Sequence, residues 1–126
     1  MKKTFISEQA KEFRTKYNLR NSQNREKRTY QKMRVIEEFK EFLEAEDHLY
    51  RENPTVVAEA LKELADLVYV CYQYAENMNW FLDEALHRVH ESNMSKLGED
   101  GKPIYREDGK VLKGPNYKPP NLTDLI

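Results

Sequence analysis

Apolar residues recur at helical spacing through the first three-quarters of the chain, where helix breakers are scarce. All four glycines lie beyond residue 97, and the only earlier proline is Pro54. Because glycine and proline are the residues least compatible with a helix interior, this segment is predicted to be helical. The predicted helices cover about residues 7–17, 25–51, 54–76 and 79–98.

Beyond Gly98 the pattern changes to short β-type segments and prolines. The segments PIYR (103–106) and KVLK (110–113) flank Asp108-Gly109, a dipeptide typical of tight hairpin turns. The tail KGPNYKPPNLTDLI (113–126) is predicted to be extended because its prolines exclude a helix. The fold class is therefore predicted to be all-α, a helical bundle of about four helices with a short C-terminal hairpin and an extended tail.

The length predicts a single domain over residues 1–126, with a helical core at 25–98 and the hairpin and tail at 99–126. The 21 basic and 22 acidic side chains nearly cancel, so no overall field draws the protein to nucleic acid or to an anionic membrane. No apolar run is long enough to span a bilayer. We therefore predict no nucleic-acid or membrane partner.

The single cysteine, Cys71, excludes an internal disulfide and is typical of the reducing cytoplasm.

Two acidic pairs hold the same position relative to the apolar stripes of the second and third helices. At 100° per residue, Glu38 and Glu41 lie about 100° and 160° from the stripe centre of the second helix. Glu63 and Asp66 lie at the same angles on the third. Packing the two stripes together is predicted to turn both pairs toward one place. The stripes consist of Val35, Ile36, Phe39, Phe42 and Leu43, and of Val57, Ala60, Leu61, Leu64, Leu67, Val68 and Cys71.

Four converging carboxylates require a cation. Two carboxylates at about 4 Å repel by about 1 kcal/mol in water and by about 4 kcal/mol at an effective dielectric of about 20. Ligation by oxygen alone favours Mg²⁺, with Mn²⁺ as a substitute. The alternative is that the acids are solvated. Against that alternative, Asp66 is the only charged residue between Leu64 and Ala75, where a merely solubilising charge is unfavourable.

These acids also carry a family resemblance. The sequence EEFKE (37–41), followed by ELAD (63–66), resembles the MazG-like branch of the all-alpha NTP pyrophosphohydrolase superfamily. The segments ELADLVYV, VHESNMSKL and KVLKGPNYKPPNL extend the resemblance over roughly residues 30–121.

The resemblance implies a helical bundle that assembles as a homodimer or homotetramer. It implies that Glu38, Glu41, Glu63 and Asp66 bind Mg²⁺ and that pyrophosphate is released from a nucleoside triphosphate. Glu41, the third acid of the EExxE motif, is implied to lie nearest the attacking water. The helical geometry independently favours Glu38 and Glu41 over Glu37.

Four further residues are predicted to contact the substrate. The resemblance makes Asn93 and Lys96 substrate-facing, with Lys96 near the phosphates. Asn93 falls on the apolar stripe of the fourth helix, so a buried structural amide is the alternative role. Lys113 and Tyr117 are placed to hold phosphate oxygens if the tail folds back toward the active site, and a purely structural role is equally compatible with the sequence.

Two alternatives to a general triphosphate pyrophosphohydrolase follow. One is a narrower member of the superfamily, a dUTPase or a phosphoribosyl-ATP pyrophosphohydrolase. The other is a non-catalytic helical assembly module. The sequence departs from the family pattern at Gln73 and Tyr74, where relatives often have glycine, and bulkier residues there are expected to reshape the pocket that reads the base.

Overall fold

A computed structural model describes residues 5–126. Its α-helices are α1 (Ile6–Lys16), α2 (Arg25–Asp47), α3 (Pro54–Asn77) and α4 (Leu82–Met94), and 3-10 turns cover Leu49–Arg51 and Thr123–Leu125. This confirms the predicted all-α class. In the described part of the chain, no helix is both long and apolar enough to cross a bilayer. Residues 1–4 of the predicted domain lie outside the described residues.

Asparagine caps fix the starts of α2 and α3 where the sequence predicts them. The side chain of Asn24 accepts a hydrogen bond from the Lys27 amide at 2.8 Å, and that of Asn53 accepts one from the Thr55 amide at 2.8 Å. Pro54 occupies the first turn of α3, where its missing N–H leaves no helical hydrogen bond unmade. The predicted second helix ends early, because its last turn tightens into the 3-10 turn at Leu49–Arg51.

The bounds predicted for the fourth helix were wrong at both ends. It begins at Leu82 rather than beside Asn79, and it ends at Met94 rather than near Gly98. Asn79 has a φ of 61°, a left-handed conformation that closes α3 instead of capping the next helix. The sequence supplied the correct residue type for a helix boundary but not the helix to which it belongs.

The chain divides into a first unit, residues 1–80, and a second unit, residues 81–126. The first unit contains an α2–α3 helical hairpin, with α1 packed against α3. The second unit contains α4, the turn that follows it and the tail. The prediction of one domain over the whole chain stays a prediction.

The packing faces of α2 and α3 differ from the predicted ones. Phe39 and Leu64, the centres of the predicted stripes, are 47% and 42% exposed. Glu38 and Glu63 are instead buried between the helices, so each packing face is rotated by about 90° toward the carboxylates. The prediction that the stripes pack on each other was therefore wrong for the stripe centres. The stripe edges that lie toward the carboxylates are less exposed: Ala60 is buried, and Val35, Phe42 and Leu67 are half-buried.

A buried guanidinium joins α1 to α3. Arg14 donates to the side-chain oxygen of Asn77 at 3.2 Å and to that of Gln73 at 3.3 Å. Asn77, which is 1% exposed, binds the backbone N–H and C=O of Ser22 with its side chain. Burial lowers the pKa of Arg14, and its polar partners compensate the cost of placing a guanidinium inside.

In the second unit, the predicted hairpin is reduced to one bridged turn. Tyr105 and Val111 form an isolated antiparallel bridge, and the Arg106 amide donates to the Lys110 carbonyl at 2.8 Å. Gly109 turns the chain with a φ of 88°, which glycine adopts without steric cost.

The tail then folds back along α4. Its hydrogen bonds follow the helix from its C-terminal end toward its N-terminal end, pairing Gly114 with Lys96, Lys118 with Ser92, and Asp124 with Arg88. The prediction of an extended tail agrees with this course, since only residues 123–125 form a helical turn.

Candidate functional site

Three of the four predicted metal ligands meet between α2 and α3. Glu38 and Glu41 on α2 and Glu63 on α3 each offer a carboxylate oxygen, and these atoms all lie within 4.8 Å of one another. The spacing of three residues places the two α2 carboxylates on neighbouring positions of one helix face. We call these residues the three-acid group.

Two oxygens of this group have no hydrogen-bond partner among the described residues. Glu38 and Glu63 are 8% and 7% exposed, and the Oε2 atom of each is buried without a hydrogen-bond partner among residues 5–126. A buried carboxylate oxygen in that condition is unfavourable unless a donor or cation satisfies it. Burial, followed by the hydrogen bond with Glu41 and the charges of Glu41 and Asp66, raises the pKa of Glu38, and Arg34 opposes this effect.

Asp66 lies beside the three-acid group and is held by a lysine. The Lys62 ammonium is 2.9 Å from Asp66 Oδ2 and 3.3 Å from Glu63 Oε1. Its hydrogen bonds with Asp66 and then with Glu63 raise the pKa of Lys62. Arg34 Nη2 lies 3.6 Å from Glu38 Oε1. The negative charge of these acids is thus partly neutralised by Lys62 and Arg34, whose side chains are themselves partly exposed.

A cavity of about 450 Å³ opens beside the acids within the first unit. Glu38 and Asp66 line one part of it, and the buried amides Gln31 and Gln73 line another. Its remaining walls include the rings of Phe13, Tyr17, Tyr30 and Tyr69. Its size falls within the range of small-molecule pockets, and its mixture of apolar walls with a few polar groups is typical of them.

The predicted substrate residues all belong to the second unit. Asn93 is exposed, so its predicted burial was wrong. The neighbouring Ser92 is the buried residue, and it donates to the Lys118 carbonyl at 2.8 Å. Lys96 is half-buried. The Lys113 ammonium lies 4.8 Å from the ring centroid of Tyr117, a cation–π contact between two of the predicted residues.

Gln31 and Arg34 were not predicted as site residues, and Gln73 was predicted only as a departure from the family pattern. The sequence nevertheless contains a spacing that links these amides to the acids. Gln31 lies seven residues before Glu38, and Gln73 lies seven residues after Asp66. Seven residues are about two helical turns, so each amide shares a helix face with an acid.

Comparison with known proteins adds one match. The family model described as phosphoribosyl-ATP pyrophosphohydrolase matches residues 1–93. The matched range includes the three-acid group and Asp66 and ends before the hairpin and tail. No curated protein matches the chain.

Proposed function

Because the chain belongs to the phosphoribosyl-ATP pyrophosphohydrolase family, within the all-alpha NTP pyrophosphohydrolase superfamily, we propose that it is a Mg²⁺-dependent enzyme that hydrolyses ribo- or deoxyribonucleoside triphosphates to a monophosphate and pyrophosphate. Family membership supports pyrophosphohydrolase activity on a nucleotide. The triphosphate substrate and the metal are our proposal. The observation that carries it is the three-acid group, two of whose buried oxygens have no partner among residues 5–126.

The residues present fit a divalent cation. Glu38, Glu41 and Glu63 each bring one carboxylate oxygen within 4.8 Å of the others, and the Oε2 atoms of Glu38 and Glu63 are buried with no partner in the described part of the chain. All the donors are oxygens, the ligands that Mg²⁺ and Mn²⁺ prefer. Glu38, Glu41, Glu63 and Asp66 would hold the ion, with Asp66 exchanging its contact with Lys62. Bound Mg²⁺ would supply neutralisation of the triphosphate charge and a lower pKa for a water molecule.

Glu41 is the residue that we propose accepts the proton of the attacking water. Unlike Glu38 and Glu63, it is exposed, so water and substrate can reach its carboxylate. As the water oxygen bonds to phosphorus, its proton passes to Glu41 and the P–O bond to the leaving group breaks. Glu38 and Glu63 stay fixed by the packing of α2 on α3 and keep the geometry of the site.

Asn93, Lys96, Lys113 and Tyr117 stay proposed substrate-binding residues, with the two lysines toward the phosphates. The contact of Lys113 with the Tyr117 ring supports a shared role, because the ring holds the ammonium in one position. Replacing Lys96 by alanine is expected to raise KM more than it lowers kcat.

We further propose that the enzyme is a homodimer or homotetramer in which a second copy covers the stripes of α2 and α3. Leu61 and Val57 are 66% and 50% exposed, and Phe39 is 47% exposed. Contiguous apolar residues of this kind on one helix face are typical of subunit interfaces.

The cytoplasm is the proposed location. Cys71 is a free thiol, and burial raises its pKa, which keeps the thiol protonated and unreactive. A free cysteine of this kind is typical of a reducing compartment.

Phosphoribosyl-ATP is the second candidate substrate, and the family match is the observation that favours it. It carries a triphosphate as well, so the same acids would serve. The two candidates differ in the group attached to the base, which the cavity beside the acids would have to admit.

The deciding experiment is product analysis by phosphorus NMR with Mg²⁺, a panel of nucleoside triphosphates and phosphoribosyl-ATP, and Asp66→Asn as the matched variant. Pyrophosphate from the parent protein and not from the variant supports the proposal and ranks the substrates. Turnover of phosphoribosyl-ATP alone would favour the second candidate. Orthophosphate as the product would contradict the proposal. It would also be contradicted if no substrate were turned over and Mg²⁺ did not change the melting temperature, which is the behaviour expected of an assembly module.

A further inference from the structure

One buried side chain in the cavity wall of the first unit has an unused hydrogen-bond donor. Gln73 is 5% exposed, and its Nε2 atom is buried with no partner among the residues that the structure describes. We propose that Gln73 selects the base of the nucleotide, favouring bases with an oxo group over bases with an amino group at the position farthest from the sugar. This inference rests on the proposed function, because it assigns the base preference of the same site.

The orientation of the Gln73 amide is fixed by its neighbour. Its Oε1 accepts a hydrogen bond from Arg14 Nη1 at 3.3 Å. Arginine has donors and no acceptor, so the amide oxygen faces Arg14 and the amide nitrogen faces away. Reversing the amide would set two donors against each other. Arg14 does not line the cavity, whereas Gln73 does, so the group that Gln73 offers to a ligand is an N–H donor.

Arg14 is itself held in place. It is 4% exposed and donates to Asn21 Oδ1 at 2.7 Å and to Asn77 Oδ1 at 3.2 Å. Asn77 is anchored in turn on the backbone of Ser22. The donor on Gln73 is therefore preorganised, because a change in its orientation would break a buried network.

The position of Gln73 suits the base of a nucleotide whose phosphates lie at the acids. Gln73 follows Asp66 by seven residues, about two turns and about 10 Å along the same face of α3. That separation matches the reach of a nucleotide from its phosphates across the sugar to the far edge of its base. The rings of Tyr30 and Tyr69 in the cavity wall offer faces on which a base can stack.

The donor on Gln73 distinguishes bases by the group at their far edge. Uracil, thymine, guanine and hypoxanthine have an oxygen there, which accepts a hydrogen bond. Cytosine and adenine have an amino group, which would set N–H against N–H and leave both unsatisfied. The second buried amide, Gln31, can turn its oxygen toward the ring N–H that lies beside the oxo group.

The test compares kcat/KM for pyrophosphate release within two substrate pairs, ITP with ATP and UTP with CTP. The parent protein is expected to favour ITP and UTP by roughly tenfold. Gln73→Glu replaces the donor by an acceptor and is expected to shift both ratios toward ATP and CTP. Gln73→Met removes the polar group and is expected to bring both ratios close to one. Gln9→Met, at an exposed glutamine of α1 outside the cavity lining, is the control and is expected to keep the parent ratios.

The outcomes separate this inference from the proposed function. Pyrophosphate released at equal kcat/KM within each pair would overturn the role of Gln73 and leave the proposed function standing. The same holds if both Gln73 variants keep the parent ratios. No pyrophosphate from any triphosphate would overturn the proposed function and, with it, the inference. If a variant fails to fold, the ratios of the parent and of the other variant decide.

Discussion

At the scale of single residues, the site depends on polar side chains buried without full compensation. Glu38 and Glu63 each keep a carboxylate oxygen without a partner in the described residues, and the pKa of Glu38 is raised chiefly by burial. Glu41 is the exposed member of the same group. The group therefore combines two rigid carboxylates with one that solvent reaches, so all three can bind a cation while Glu41 is also open to water.

Replacing Glu41 by glutamine is expected to lower kcat by roughly a hundredfold or more, the usual contribution of a general base. Its melting temperature should change little, because the side chain is exposed. The measurements are pyrophosphate release and thermal unfolding. Glu46→Gln, at another exposed acid of α2, is the control and should keep the parent rate. Full turnover by the Glu41 variant would remove Glu41 from the proton-transfer role.

Replacing Lys62 by methionine is expected to lower the Mg²⁺ concentration needed for half-maximal activity by about twofold to fivefold, the effect of an exposed ion pair. The Lys62 ammonium lies 2.9 Å from Asp66 and 3.3 Å from Glu63, where it repels an incoming cation. A Mg²⁺ titration of activity measures this effect. Lys32→Met, an exposed lysine on α2, should leave the titration unchanged. An increased requirement in the Lys62 variant would show that the ammonium helps to position the acids.

At the scale of elements, local signals predicted the starts of α2 and α3 but not the start of α4, and they failed at the packing faces. Asn24 and Asn53 cap α2 and α3, since capping depends only on neighbouring residues. Three of the four predicted acids, Glu38, Glu41 and Glu63, lie close together, and Glu38 and Glu63 belong to the packing faces themselves instead of lying beside them. Periodicity shows where the apolar stripe of a helix lies, and it does not show what covers that stripe. The amides Gln31 and Gln73 were missed for a related reason, because burial of a polar side chain depends on tertiary contacts.

Replacing Leu64 by glutamate is expected to reduce the mass of the proposed oligomer, because a charge would then lie in the interface that we propose covers the stripes. Leu64 is 42% exposed, so the variant should still fold as a single chain. Light scattering over a range of protein concentrations measures the mass. Tyr50→Glu, at an apolar residue 73% exposed and outside the stripes, should keep the parent mass. An unchanged mass in the Leu64 variant would place the interface elsewhere.

At the scale of the whole molecule, the tail is an ordered part of the second unit. A close backbone approach fixes where it joins α4. The Gly114 amide donates to the Lys96 carbonyl at 2.8 Å, and a Cβ atom at Gly114 would lie 2.3 Å from the Leu97 carbonyl oxygen. Only glycine allows this approach. Sequence reasoning predicted an extended tail from its prolines, but the close contact at Gly114 depends on a fold that local patterns do not show.

Replacing Gly114 by alanine is expected to detach the start of the tail, since the contact is with backbone atoms that cannot rotate away. Amide hydrogen exchange at residues 114 and 118, whose N–H groups bond to Lys96 and Ser95, should become at least several-fold faster. Gly98→Ala is the matched control, because its nearest atom at 3.1 Å belongs to the flexible side chain of Asp100. Equal exchange rates in the Gly114 variant and the parent would show that the tail stays attached despite the added Cβ atom.

The repeated spacing of seven residues between acid and amide, on both α2 and α3, has a consequence for how such an enzyme diversifies. The groups assigned to hydrolysis and the groups assigned to base recognition lie on the same helices but two turns apart, so mutation can alter one set without disturbing the other. A lineage with this arrangement can change its nucleotide substrate through single substitutions at Gln31 or Gln73, while selection preserves the carboxylates. An insertion or deletion between an acid and its amide would instead rotate the amide relative to the acid by about 100° per residue. The length of these helix segments should therefore vary far less than the identity of the residues at the amide positions.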